Sequence, residues 1–161
     1  MPTIPELVEQ LAAALKARNQ MMATAESCTG GLIAGACTEV SGSSDWFERG
    51  FVTYSNAAKS ELLGIPAALI HDHGAVSEQV ARAMAAGAVA HAHAHWSVAV
   101  TGVAGPTGGT TEKPVGTVWF GWATPAGVDT EHQHFNGDRA TVRQATVTHA
   151  LAGLLQRLTR A

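Results

Sequence analysis

The sequence predicts a single α/β domain, residues 1–161, in which helices cover both faces of a mixed sheet as three α/β/α layers. Helical and strand-like stretches alternate through the first hundred residues, and a hairpin pattern follows them. At 161 residues, with 46% hydrophobic and 14% charged side chains, the chain has enough apolar content to bury one core without a disulfide staple. No apolar run approaches the roughly 20 residues that span a bilayer, and no internal repeat, low-complexity tract or linker interrupts the pattern. A soluble globular protein is expected.

The elements follow in order. Thr3 and Glu6 have capping-box spacing, Pro5 suits a first turn, and Leu7, Leu11 and Leu15 recur at helical intervals, so the chain opens with a helix. Met21 to Glu26 reads as a short buried strand ended by Ser27, and Thr29 to Val40 resumes a helical pattern after Gly30 and Gly31. A polar Gly/Ser turn, Ser41 to Asp45, leads into Trp46 to Tyr54, whose aromatic and β-branched content predicts a strand. Ser55 or Asn56 can cap the next helix, which carries Lys59, Leu62 and Leu63 and stops at Gly64; Pro66 starts one or two further helical turns.

Ser77 to about His95 is alanine-rich, with Val80, Met84 and Ala88 spaced by four, which predicts an amphipathic helix capped by Ser77. Ser97 to Val100 then reads as a central strand. Gly102 to Gly116 holds five glycines and two prolines, too irregular for a strand and too long for a hairpin turn, and loops of that length in small domains often serve function. Val115 to Ala123 and Val128 to Phe135 flank Thr124-Pro-Ala-Gly127 as a hairpin. Asp138 can cap a last helix whose inward stripe is Val147, Leu151, Leu155 and Leu158.

Charge and cysteine content narrow the function. Ten Lys and Arg against thirteen Asp and Glu leave a formal charge of −3, which provides no general basic surface for a polyanion, so nucleic acid is not an expected partner. The two cysteines, Cys28 and Cys37, are too few for a disulfide framework, and no signal-peptide pattern opens the chain, so a cytoplasmic protein is expected.

The segment Ala25-Glu-Ser-Cys-Thr-Gly-Gly31 places a hydroxyl between a buried strand and a helix start. Free amides there point outward, so the N–H groups near Cys28, Thr29 and Gly30 could stabilise an oxyanion, while Gly30 and Gly31 let a substrate approach the backbone. The same segment also fits a plain helix cap by Ser27 or Thr29, or a phosphate-binding turn without covalent chemistry. Cys28 is intrinsically the stronger nucleophile, but adjacent side chains at a strand end point oppositely, so one of Ser27 and Cys28 reaches a site and the other packs inward.

A serine needs a base, and none of the eight histidines stands out as one. Lys59 can serve if burial lowers its pKa, and Tyr54, the only tyrosine, stands five residues before it at a change of element that can bring both side chains together. Taken alone, Lys59 equally fits a solvated lysine near Glu61 or Glu39, and Tyr54 a packed aromatic. His91, His93 and His95 lack acidic or cysteine companions at zinc spacing, so no metal is expected. The glycine loop with Thr101, Thr107, Thr110, Thr111 and Lys113 could hold a polar ligand, and Arg139 and Arg143 could add charge for a phosphate or carboxylate.

Jointly these motifs resemble the C-terminal domain of the CinA competence-damage family, whose free-standing members are nicotinamide-nucleotide amidases. The resemblance runs through AESCTGG (25–31), VSGSSDWFERGFVTYSNAAKSELLGI (40–65), GAVSEQVARAMAAGA (74–88), TGVAGPTGG (101–109), EKPVGTV (112–118) and FNGDRATVRQA (135–145). It implies hydrolysis of the nicotinamide mononucleotide carboxamide to nicotinate mononucleotide and ammonia, without metal or cofactor. It implies a nucleophile at Ser27 assisted by Tyr54 and Lys59. Substrate contacts are expected from Cys28, Thr29, Gly30 and Gly31, from Thr101, Gly102, Gly105, Gly108 and Gly109 along the glycine loop, and from Arg139 and Arg143. The expected partners are a small pyridine nucleotide and further copies of the chain in a homo-oligomer, with no nucleic acid and no membrane.

Two positions depart from the family pattern: Thr107 stands where an acidic residue is expected and Thr110 where glycine is expected. The activity of the large N-terminal domain of full-length CinA proteins is not carried over. A second class of function remains compatible with the residues, a non-catalytic pyridine-nucleotide-binding module in which Ser27 caps a helix and the glycine loops grip phosphate.

Overall fold

Five strands and six α-helices are built over residues 2–161, the part of the chain that the computed structural model describes. The order is α1 (Ile4–Ala17), β1 (Met22–Glu26), α2 (Leu32–Cys37), a 3-10 turn (Ser43–Asp45), β2 (Phe47–Val52), α3 (Asn56–Leu63), α4 (Ala67–His73), α5 (Glu78–Ala90), β3 (Trp96–Gly102), β4 (Thr117–Thr124), β5 (Gly127–His134) and α6 (Arg139–Arg160). No helix among the described residues is long and apolar enough to cross a membrane.

The strands form one sheet in the order β2-β1-β3-β4-β5. β1 pairs in parallel with β2 on one side and β3 on the other, whereas β4 and β5 run antiparallel, so the sheet is mixed as expected. Strand alternation sorts residue size between its faces. Met22, Trp96, Val98, Val100, Val118, Phe120 and Trp122 pack with α1, α2 and α6, while Ala23, Ala25, Ala99 and Ala123 face α3, α4 and α5. The small-residue face lets alanine-rich α5 lie close: a Cβ at Gly121 would stand 2.5 Å from the carbonyl oxygen of Ala81. On the other face the Trp122 indole donates to the Ala150 carbonyl at 3.0 Å, and the Arg157 guanidinium stacks 4.0 Å over its ring.

The helix starts follow local chemistry. The hydroxyls of Thr3, Ser55 and Ser77 and the carboxylate of Asp138 accept from the amides of Glu6, Ala58, Val80 and Thr141, so Ser55 rather than Asn56 caps α3. Gly64, at φ +71°, ends α3. Other boundaries differ from expectation. The helix expected over 29–40 is only Leu32–Cys37, because Gly30 and Gly31 take φ of +57° and +109° and keep the preceding residues in a turn. β2 stops at Val52 and leaves Tyr54 in a loop, and α5 stops at Ala90 with His91 as its C-cap. In α6, Leu154 rather than Leu155 is fully buried.

This topology positions a crevice. The chain leaves β1 toward β2 on one side and returns to β3 on the other, so the connections following β1 and β3 diverge between them. In open α/β sheets such a switch point, at the carboxyl ends of parallel strands, is where ligands bind. Ser27 follows β1, Tyr54 lies two residues beyond β2, and Thr101 and Gly102 close β3.

Candidate active site

Glu26 ends β1 fully buried, and its carboxylate organises the turn that follows. One oxygen accepts from the Thr29 hydroxyl at 2.6 Å and the Ile33 amide at 2.8 Å, and the other accepts from the Ala34 amide at 3.0 Å. A carboxylate at the start of α2 thus satisfies two amides that the short helix cannot pair internally. Its carbonyl accepts from the Thr53 amide at 2.8 Å, which ties the end of β2 to the same point. Nothing in the spacing of AESCTGG separates this role from that of an ordinary strand residue.

Ser27 continues the β1–β3 ladder, its amide donating to the Val100 carbonyl at 3.1 Å, and the Gly30 amide closes the turn onto the Ser27 carbonyl at 3.0 Å. The Ser27 side chain points to Lys59, whose Nζ lies 3.2 Å from Oγ. Cys28 takes the other direction: its thiol packs in the core beneath α6, and burial, the largest influence, pushes its pKa up to about 11. A thiol held protonated near neutrality is a poor nucleophile.

Lys59 is 1% exposed, although its helix α3 lies at the surface. Besides Ser27 Oγ, its ammonium reaches the main-chain carbonyl of Tyr54 at 3.3 Å. Neither Glu39 nor Glu61 pairs with it, and no carboxylate among the described residues does. Burial therefore pushes the Lys59 pKa below the usual lysine range, with a smaller opposing contribution from Cys28. The change of element between β2 and α3 does bring Tyr54 and Lys59 to one place, but Tyr54 meets the lysine with its backbone. Its side chain is 62% exposed, and its hydroxyl accepts from Arg139 Nη2 at 3.3 Å.

Ser27, Cys28, Tyr54, Lys59, Thr101, Gly102 and Arg139 all line one cavity of about 240 Å³, together with Asn56, Ala75, Val76 and Ala104. Asn56 enters the sequence reading only as a candidate helix cap, and the other three carry no reactive group. Thr101 Oγ1 donates to the Ala75 carbonyl at 2.8 Å and so ties the end of β3 to the loop before α5. Arg139 spans the mouth, with Nη1 on the Gly105 carbonyl at 3.0 Å and Nη2 on the tyrosine.

The remaining candidates lie outside the cavity lining. Thr29 is buried on Glu26, and Gly30 and Gly31 shape the turn. Gly105, at φ +84°, packs on Val115, and a Cβ at Gly109 would stand 2.8 Å from the Val115 nitrogen, so Gly105, Gly108 and Gly109 set the path of the loop. Arg143 holds the main-chain carbonyls of Cys28 and Thr29 at 3.1 and 3.2 Å. Thr110 bonds within its own loop to the Lys113 amide at 2.9 Å, and Thr107 is exposed. His91 and His95 have main-chain partners, Gly87 and Met21. No cluster of three or more potential metal ligands occurs among the described residues. A larger cavity, about 680 Å³, runs along α6 beside Phe135 and His149, but its His149 pairs with Glu131 and its Thr148 hydroxyl with the Gln144 carbonyl rather than with each other.

The chemistry available at the small cavity is specific. An amine disfavoured as a cation touches a serine hydroxyl, and among the described residues no protein acceptor takes the amides of Cys28 and Thr29, whereas that of Gly30 is already used. A nucleophile and a base therefore meet in the cavity, beside a turn whose first two amides are left for another acceptor.

Comparison with known proteins places this arrangement in context. Residues 5–158 match the sequence model described as the CinA C-terminal domain. The chain is 51% identical over 152 residues to the nicotinamide-nucleotide amidohydrolase PncC of Escherichia coli K12, covering 94% of this chain and 92% of that one. It is 53% identical over 156 residues to the protein of the same name from Pseudomonas putida, covering 97% and 98%. The crystal structure of the competence damage-inducible protein A (ComA) from Klebsiella pneumoniae superposes with a TM-score of 0.94 at 39% identity over 98% of each chain.

Proposed function

The chain belongs to the CinA C-terminal domain family, and on that premise we propose that it is a nicotinamide-nucleotide amidohydrolase, converting nicotinamide mononucleotide to nicotinate mononucleotide and ammonia. The observation that carries the reading is the 3.2 Å contact between the buried Lys59 Nζ and Ser27 Oγ inside a cavity at the sheet's switch point.

In the proposed reaction neutral Lys59 takes the Ser27 hydroxyl proton as Oγ bonds to the amide carbon. The carbonyl oxygen becomes an oxyanion facing the free amides of the turn. Collapse of that intermediate breaks the C–N bond, and the Lys59 ammonium returns the proton to the departing nitrogen, so ammonia leaves. Water then attacks the Ser27 ester while Lys59 accepts its proton; the ester bond breaks and Oγ recovers that proton. The pyridinium charge of the substrate makes its carbonyl more electrophilic, and in this reading Tyr54 and Arg139, which line the cavity, meet the ring and the phosphate. The scheme uses no metal or cofactor.

Ammonia release from nicotinamide mononucleotide, its riboside and free nicotinamide is the decisive measurement. Wild-type protein is expected to favour the mononucleotide, and Ser27→Ala to abolish release while remaining folded. Full activity in Ser27→Ala rejects the nucleophile, and saturable nucleotide binding without ammonia release by wild-type protein identifies a binding module instead.

A further inference from the structure

We propose that Arg143 is a positioning residue, acting through the backbone of the nucleophile turn to hold and polarise the amides that receive the oxyanion; this rests on the Ser27 reading above. Arg143 sits in the first turns of α6, 115 residues from Cys28, yet its Nε donates to the Cys28 carbonyl at 3.1 Å and its Nη2 to the Thr29 carbonyl at 3.2 Å. Arg139, one helical turn earlier, lines the cavity, and Arg143 does not.

The peptide units explain why this contact matters. The Cys28 carbonyl and the Thr29 amide belong to one planar unit, and the Ser27 carbonyl and Cys28 amide to the unit before it. Both carbonyls are occupied, the first by the Arg143 cation and the second by the Gly30 amide, while the two amides find no protein acceptor among the described residues. A donor pulling on the carbonyl end of a peptide strengthens the hydrogen bond its amide end can make, more so when that donor is charged. Two successive amides free for an anion form a concave donor pair. The bidentate guanidinium also fixes the orientation of the 28–29 unit, since it grips the next carbonyl as well. Gly30 suits this grip: at φ +57° most side chains would be strained, and a Cβ there would stand 3.6 Å from Nη2, in van der Waals contact.

This arrangement predicts loss of turnover rather than of affinity. Arg143→Gln and Arg143→Lys are assayed for nicotinamide mononucleotide deamidation beside Arg139→Gln and Ser27→Ala, with rates normalised to competent sites by the burst of ammonia released in the first turnover. For Arg143→Gln, kcat is expected to fall about 10- to 100-fold, short of the 10²–10³-fold that removing one oxyanion donor outright costs. Its KM is expected to stay within about threefold, because a group acting only in the transition state leaves substrate binding intact. Arg143→Lys keeps the cation without the fork and recovers part of the loss, and it serves as the reading if the glutamine variant does not fold. Arg139→Gln is expected to show the opposite split, a raised KM. A raised KM at unchanged kcat in the Arg143 variants makes Arg143 a substrate contact and overturns the proposal, as do unchanged kinetics. An active Ser27→Ala removes the reading it rests on, whereas an inactive Ser27→Ala beside unaffected Arg143 variants removes the positioning role alone.

Discussion

Replacing Glu26 by glutamine probes the turn that carries Ser27 without changing the volume of the side chain. The carboxylate accepts three hydrogen bonds at 2.6, 2.8 and 3.0 Å inside the protein. A glutamine oxygen can keep the Thr29 and Ile33 donors, but its NH2 then faces the Ala34 amide donor to donor. One bond is lost outright and two become neutral. With hydrogen bonds to charged groups contributing about 1.5–3 kcal/mol and neutral ones about 0.5–1.5, the expected destabilisation is about 3.5–6 kcal/mol. An unfolding entropy of about 2.1 cal/mol/K per residue makes that a Tm lower by about 10–18 °C for a chain of this length. Urea unfolding followed by circular dichroism measures the difference, and kcat measured well below the new Tm should fall as the turn loosens. A variant within about 0.5 kcal/mol of wild type would refute the argument that these three contacts hold the turn.

Two other substitutions test separate contacts. Lys59→Met should abolish deamidation yet stabilise the fold near neutral pH, because burial lowers the folded pKa of Lys59 below its unfolded value of about 10.4. Between those two values the unfolded chain binds more protons, so wild-type stability is greatest above the unfolded pKa and is lost as pH falls through the folded one. The advantage of Lys59→Met in urea midpoint should therefore shrink as pH rises from 6 to 10; an advantage that grows with pH contradicts the assignment. Thr24→Val should raise stability by about 1 kcal/mol, since the fully buried Thr24 hydroxyl has no hydrogen-bond partner among the described residues. Chemical denaturation measures this too, and a loss of more than about 1 kcal/mol would mean that the hydroxyl has a function in the packing against Gly50.

Local chemistry was legible and distant chemistry was not. Ser77 and Asp138 announce their helices because a cap acts over three residues, and the mixed sheet follows from alternation and a hairpin. The residues alone offer Lys59 as a base for Ser27 with Tyr54 nearby, but only the family resemblance selects that set over a helix cap, a solvated lysine and a packed aromatic, since 32 residues separate the serine from the lysine that touches it. The Arg143 grip spans 115 residues, and nothing in GDRATVR distinguishes an arginine facing a cavity from one facing a backbone carbonyl. α2 is shorter than the apolar pattern over 29–40 implies, because Gly30 and Gly31 both adopt left-handed backbone and delay its start, which a residue pattern does not reveal.

The crevice draws on residue 27 after β1, 54 after β2, 59 within α3, 101 near the end of β3 and 139 at the opening of the final helix. During synthesis, a ribosome that has released β2 and α3 has supplied the serine and the lysine but neither the strand that completes the ladder beside Ser27 nor the helix that clamps its turn. On the proposed mechanism, turnover begins only when almost the entire polypeptide has emerged and closed on itself. Catalytic output from a truncated or nicked chain is therefore a direct gauge of whether its carboxyl-terminal third has docked.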